Sequence, residues 1–188
     1  MTDDFTTVDP VFGMRSRFWR TNGDGDGNGE VQHVETWLEP GGGVTPHIHP
    51  VMEERFTVHE GRCEFLSGRK WVEAGPGEEV VVPAGTRHAF RNRAGAPARV
   101  ECKATPPSSL QAFLEDAAGL SRAGKITKLG LPKPGGLLEA AVLVTAYDDM
   151  VHLLAPAPPR PIQRLVFGPL ARVGERRGLR AGEFAKLA

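Results

Sequence analysis

The chain has 188 residues, enough for one good-sized domain plus an appendage but not for two full cores. Its 23 basic and 23 acidic residues cancel to a net charge of zero, which removes the basic surface that a nucleic-acid partner asks for. The two cysteines, Cys63 and Cys102, have no C-x-x-C spacing, which argues against a disulfide framework and against a zinc finger. The first residues are acidic and have no apolar stretch behind basic ones, so no secretory signal is read there. No apolar run reaches the roughly 18 residues of a membrane span. A cytoplasmic protein with reduced thiols is expected.

Residues 1–29 read as an N-terminal arm, with one strand from Met14 to Arg20, followed by the Gly/Asp-rich loop at 21–30. From about residue 30 to 105 the text is strand-like. Val31–Leu38, Val44–Pro50, Glu54–His59, Cys63–Leu66, Trp71–Glu73, Glu79–Val82, His88–Arg91 and Arg99–Ala104 are short β candidates separated by Gly/Pro turns. Many short strands with regular turn signals predict a sandwich or barrel. The character changes at Pro106, and residues 106–188 read as a helical C-terminal extension. Ser108–Leu120 has apolar residues at helical spacing behind a Ser108/Ser109 cap, Leu137–Leu154 reads as a second helix, and Ile162–Arg177 as a third, amphipathic and basic.

Two stretches carry the chemistry. In the first, Gly41, His47, His49, Glu54 and Gly61 are separated by five, one, four and six residues. His47 and His49, two apart on a strand, point to the same face. Glu54 follows after a bend and can face them from the adjoining strand, while Gly61 suits a turn because it tolerates positive φ. In the second, Gly77, Pro83, Gly85, His88 and Asn92 are separated by five, one, two and three residues. Pro83-Ala84-Gly85 reads as a chain reversal that places His88 early in the next strand.

These two stretches resemble the two signature motifs of the cupin superfamily at all ten fixed positions. The resemblance covers roughly residues 30–105 and implies a mainly β fold, a double-stranded β-helix or jelly-roll barrel, in agreement with the strand-and-turn reading. It further implies that His47, His49, Glu54 and His88 are ligands to one divalent transition metal. Three imidazoles and a carboxylate suit Fe(II), Mn(II), Ni(II), Cu(II) or Zn(II) and match Ca or Mg poorly, and the resemblance makes Fe the first choice among them. In an octahedral ion such a set leaves two positions for water, O2 or a chelating substrate, the openness of a catalytic site. The neighbouring Glu53 is the alternative carboxylate; the six-residue gap to Gly61 favours Glu54. If these histidines merely lined the barrel, three buried imidazoles and a carboxylate would be hard to satisfy.

Three functions are consistent with this site. The favoured one, by its resemblance to the quercetin dioxygenase-like cupins, is an Fe(II)-dependent oxygenase or oxidase of a small aromatic or enolic molecule. The second is a non-redox isomerase, epimerase or polyketide cyclase using Zn or Mn. The third is a small-molecule sensor, disfavoured because no helix-turn-helix precedes the barrel. Thiol oxidation is also disfavoured, because Glu54 is present and Tyr147, the only tyrosine, lies outside the barrel. Strand alternation nominates Thr45 and Val51 with the His pair, Phe56 and Val58 with Glu54, Phe90 with His88, and Trp37 as pocket walls, although barrel packing would explain each equally well.

Asp24, Asp26, Asn28, Gly29 and Glu35 fit a calcium-loop spacing, but the strand that follows should hold Glu35 in the sheet, so a solvated hairpin loop is expected. Cys63 and Cys102 read as small core residues, and His33, His59 and His152 as surface or packing residues. The basic third helix, with Arg164, Arg172, Arg176, Arg177 and Arg180, is expected to dock on the barrel or on a second subunit in preference to a membrane surface. An exposed sheet edge, together with the habit of the family, points to a homodimer.

Overall fold

The computed structural model describes residues 7–22 and 29–187. Asp24, Asp26 and Asn28 of the calcium-like loop lie outside the described residues. Eleven strands are present among those described: β1 (Thr7–Asp9), β2 (Met14–Asn22), β3 (Glu30–Leu38), β4 (His47–Ile48), β5 (Glu53–Glu60), β6 (Cys63–Ser67), β7 (Lys70–Ala74), β8 (Glu79–Val82), β9 (His88–Arg91), β10 (Ala98–Thr105) and β11 (His152–Leu153). The helices are α1 (Leu110–Arg122), α2 (Leu137–Ala146) and α3 (Arg160–Arg176).

The strands form two sheets, with spatial orders β1-β2-β3-β10-β5-β8 and β11-β4-β9-β6-β7, and every pairing is antiparallel. The fold is therefore mainly β, with the two sheets of a jelly roll and helices after them. Alternation builds the interior. In β5, Glu54, Phe56 and Val58 are buried; in β10, Ala98, Val100, Cys102 and Ala104 are buried while the residues between them face outward. Gly61 ends β5 at φ +73°, where a Cβ would stand 2.5 Å from the Pro97 carbonyl oxygen, so a side chain is excluded on both counts.

The outer face of the larger sheet is charged and paired. Glu35 receives Arg17 and, at 2.7 Å, Arg99, so its carboxylate is committed to arginines within the sheet. Glu101 lies between His33 at 2.8 Å and His59 at 3.0 Å.

Four expectations need correction. Val44–Pro50 is strand only at His47–Ile48, because Pro46 and Pro50 have no N–H to give to a ladder. The stretch Leu137–Leu154 is not one helix. It leaves the helix at Tyr147, passes Asp148, whose carboxylate is held by Arg160 and Arg164 at 2.8 Å each, and returns to strand in β11. Ser109 is the N-cap of α1, but no serine side chain bonds the helix end. The third helix docks on α2, with Ala171 and Gly174 buried, while Ile162, Leu165, Val166 and Val173 remain exposed.

The strand β1 has no counterpart in the sequence reading. It is fixed by Asp9, whose carboxylate accepts from the backbone N–H groups of Val11 and Phe12 and from the Ser121 hydroxyl on α1. The C-terminal residues lie against α1 as well. Asp116, fully buried, accepts from Tyr147 Oη at 3.0 Å and from the backbone N–H groups of Gly182 and Ala185. Gly119 is required there, since a Cβ would collide with the Phe184 carbonyl. No helix among the described residues is long and apolar enough to cross a membrane.

Candidate metal centre

β4 brings His47, the residue just after it is His49, β5 brings Glu54 and β9 brings His88, all to one point. Register does this: His47 pairs directly with His88 across β4 and β9, and Glu54 lies between Ala104 and Val82 in the opposite sheet. One ligand atom from each of the four residues lies within 4.8 Å of every other. The imidazole centroids are 4.9 Å apart for His47–His49, 4.1 Å for His47–His88 and 5.2 Å for His49–His88.

Backbone carbonyls orient all three imidazoles. His47 Nδ1 donates to Thr45 O, His88 Nδ1 to Thr86 O and His49 Nδ1 to Met150 O, each at 2.9 Å. A carbonyl can only accept, so each Nδ1 carries the proton and each Nε2 presents a lone pair. Glu54 Oε2 stands 2.8 Å from His88 Nε2, yet both atoms are buried without a well-formed hydrogen bond. Two buried polar atoms left without a partner and aimed at one point match what a cation would satisfy. The donor set, three neutral imidazole nitrogens and one carboxylate, fits a divalent transition metal.

The electrostatics are those of buried groups in close contact. Burial, then the neighbouring His88 and His49, pushes the His47 imidazole down to about 3. Burial also lowers His49, outweighing the pull of Glu54. For Glu54 burial acts upward, but the contact with His88 and the other imidazoles prevails and holds the carboxyl at about 2. For His88 burial acts downward, but the contact with the Glu54 carboxylate prevails and moves the imidazole up. Cys102 Sγ lies 3.6 Å from Glu54 Oε1. Both cysteines are buried and free, and burial raises the Cys63 thiol to about 12 and moves the Cys102 thiol well up. Neither thiol is a nucleophile near neutral pH.

The carboxylate that reaches the imidazoles is that of Glu54. Glu53 points outward to Arg55 at 2.9 Å. A cavity of about 190 Å3 opens beside His47, His49 and Glu54. Of the nominated walls, Thr45, Phe56 and Phe90 line it. Val58 is fully buried but stands in the barrel core away from the cavity, Val51 is 63% exposed, and Trp37 lies outside under the Arg17 guanidinium. Regular alternation fails at Val51 because β4 ends at Ile48 and Pro50, with no N–H to give, lies between. The Tyr147 hydroxyl, bound to Asp116, takes no part in the cluster.

Sequence reasoning missed the contribution of the segment after residue 137. β11 pairs with β4, Leu154 N–H donates to Pro46 O at 3.1 Å, and Met150 supplies the acceptor for His49. Leu143, Val144, Val151 and Leu153 line the cavity. A backbone carbonyl leaves no mark in a sequence, so no spacing could have found Met150.

Comparison with known proteins agrees with this geometry. Residues 34–102 match the family model of the cupin domain. The tetracenomycin polyketide synthase protein TcmJ of Streptomyces glaucescens is 33% identical over 79 residues, 42% of this chain and 52% of that protein. The chain thus spans about half the length of this curated relative. Among solved structures, a sugar phosphate isomerase of the cupin superfamily from Silicibacter pomeroyi is 28% identical, with 50% of this chain and 61% of that one covered and a TM-score of 0.43. KdgF from Halomonas sp. is 18% identical, with 57% and 90% covered and a TM-score of 0.47. The ten motif positions, the two antiparallel sheets and the matched domain model agree on a cupin domain over residues 34–102.

Proposed function

We propose that the chain is a metal-dependent cupin enzyme that holds one divalent ion through His47, His49, Glu54 and His88 and acts as an Fe(II)-dependent oxygenase or oxidase of a small aromatic or enolic molecule. The observation that carries this reading is the set of three Nδ1 atoms anchored on carbonyls, which turns three Nε2 atoms and the Glu54 carboxylate toward one point beside a cavity. A bound ion there supplies Lewis acidity and, if it is iron, one-electron chemistry toward O2. The chain's own residues do the rest. The carbonyls of Thr45, Thr86 and Met150 keep the imidazoles in one tautomer and one orientation. Phe56 and Phe90, packed on each other with ring centroids 5.7 Å apart in the cavity lining, exclude water and give a substrate an apolar wall.

The test is oxygen uptake by the iron-loaded full chain in the presence of catechols and cyclic enols. Substrate-dependent uptake is expected, and its absence with every chelating enol and catechol tried would sink the oxygenase reading. A second reading, a non-redox cyclase or isomerase using Zn or Mn, draws support from the similarity to a polyketide synthase protein. Turnover that is unchanged under anaerobic conditions, with tightly held zinc, would favour it.

A further inference from the structure

The cavity beside the metal cluster has walls of one character. Among the residues that line it there is no lysine and no arginine, and the only carboxylates are Glu54 and Asp9. Asp9 is occupied by Ser121 and by the N–H groups of Val11 and Phe12. The Ser16 and Thr36 hydroxyls bond each other at 3.0 Å. Of the remaining polar residues, Thr7 accepts through its hydroxyl from Arg122 at 3.4 Å, Thr45 gives its carbonyl to His47, and Cys102 lies beside Glu54. Away from the cluster the wall is aliphatic and aromatic, with Leu114 from α1, Leu143 and Val144 from α2, and Phe167 from α3.

From this distribution we infer that the ligand is a neutral, compact ring compound of one or two fused rings, with its oxygen atoms on one edge facing the metal cluster, and that phosphorylated or carboxylated molecules are rejected. The inference rests on the metal reading for the direction in which that edge points, and on the cavity alone for charge and size. With its oxygen edge at the cluster, such a ligand would carry a phosphate or carboxylate into the part of the cavity that has no lysine and no arginine, where the charge would lose its hydration with no cation to replace it. Volume sets the size. A cavity of about 150 Å3 accepts benzene, and this one, at about 190 Å3, has room for little more than a second ring. Away from the cluster the wall is mostly carbon, and Asp9, Ser16 and Thr36 already hold partners of their own, which favours that one orientation.

Calorimetric titration of the zinc-loaded full chain tests this with three probes: naphthalene-2,3-diol, 3,4-dihydroxybenzoate and glucose 6-phosphate. The neutral diol is expected to bind at least about tenfold tighter than the carboxylate, and the sugar phosphate not at all. Naphthalene itself, which lacks oxygen, is expected to bind the metal-free chain. Val144→Phe and Leu114→Phe, which fill the cavity away from the imidazoles, are each expected to weaken both aromatic probes about tenfold with zinc content unchanged; two positions guard against one variant that misfolds. Equal or tighter binding of the benzoate or the sugar phosphate would overturn the inference while leaving the metal reading intact. Undiminished binding in both filled variants would overturn it too, as would failure of diol and naphthalene alike. If the chain takes up no zinc, the proposed function fails, and the naphthalene titrations still decide the nature of the cavity.

Discussion

On its strand side the cavity borders a cluster of three imidazoles and a carboxylate, and every ring is tied by its second nitrogen to a named carbonyl. On its helical side it holds Leu114, Leu143, Val144 and Phe167, carbon surfaces that need only fill space. The strand side is built for direction and the helical side for volume. A metal cluster needs each donor atom within a fraction of an ångström, which strands in register can supply. An apolar wall tolerates exchange of one hydrocarbon for another of similar size. The segment Met150–Leu154 belongs to both sides, since it gives one carbonyl to His49 and three residues, Val151, Leu153 and Leu154, to the wall.

Substitutions can break or sharpen this contrast. The largest effect is expected on the strand side. His88→Ala or Glu54→Gln should lower metal affinity by more than the about 100-fold that marks the upper range for loss of an outer partner, as measured by competition with a chelator of known affinity. Leu154→Pro removes the N–H that bonds Pro46 O and loosens β11, so the Met150 carbonyl no longer fixes His49. Metal affinity should then fall about 10–100-fold while circular dichroism retains the barrel signal.

Remote from both walls, Asp116→Asn should cost about 2 kcal/mol in denaturant unfolding, because a buried carboxylate holding three donors is weakened. Its metal content should stay that of the parent chain. On the helical side, Leu143→Met should cost less than about 1.5 kcal/mol and leave metal affinity unaltered. Equal sensitivity of metal affinity to Leu143→Met and to His88→Ala would erase the contrast. The smallest effect concerns the thiols. Both are held protonated, so a disulfide reagent at pH 8 should label the native chain at under about one-tenth of its rate in denaturant.

How much of this was legible in the sequence follows the same division. Strand alternation marks β5 and β10 because every second residue is buried, and the spacing of His47, His49, Glu54 and His88 marks the cluster because strand geometry turns spacing into direction. Beyond residue 137 the signal weakens. The apolar run from Val142 to Leu154 reads the same in a buried helix and in a strand, and only the pairing of β11 with β4 separates the two. β1 is three residues long and depends on Ser121, far along the chain. Wall residues such as Val144 carry no chemical mark at all. Exposure at Val51 was hidden because Pro50 interrupts the alternation that nominated it.

The central claim is tested most directly by titrating the metal-free full chain with zinc or Fe(II), the parent beside His88→Ala and Glu54→Gln. One ion per chain in the parent, with affinity lost in both variants, is the predicted result. An ion bound equally well by all three proteins, or no ion bound by the parent, would contradict it.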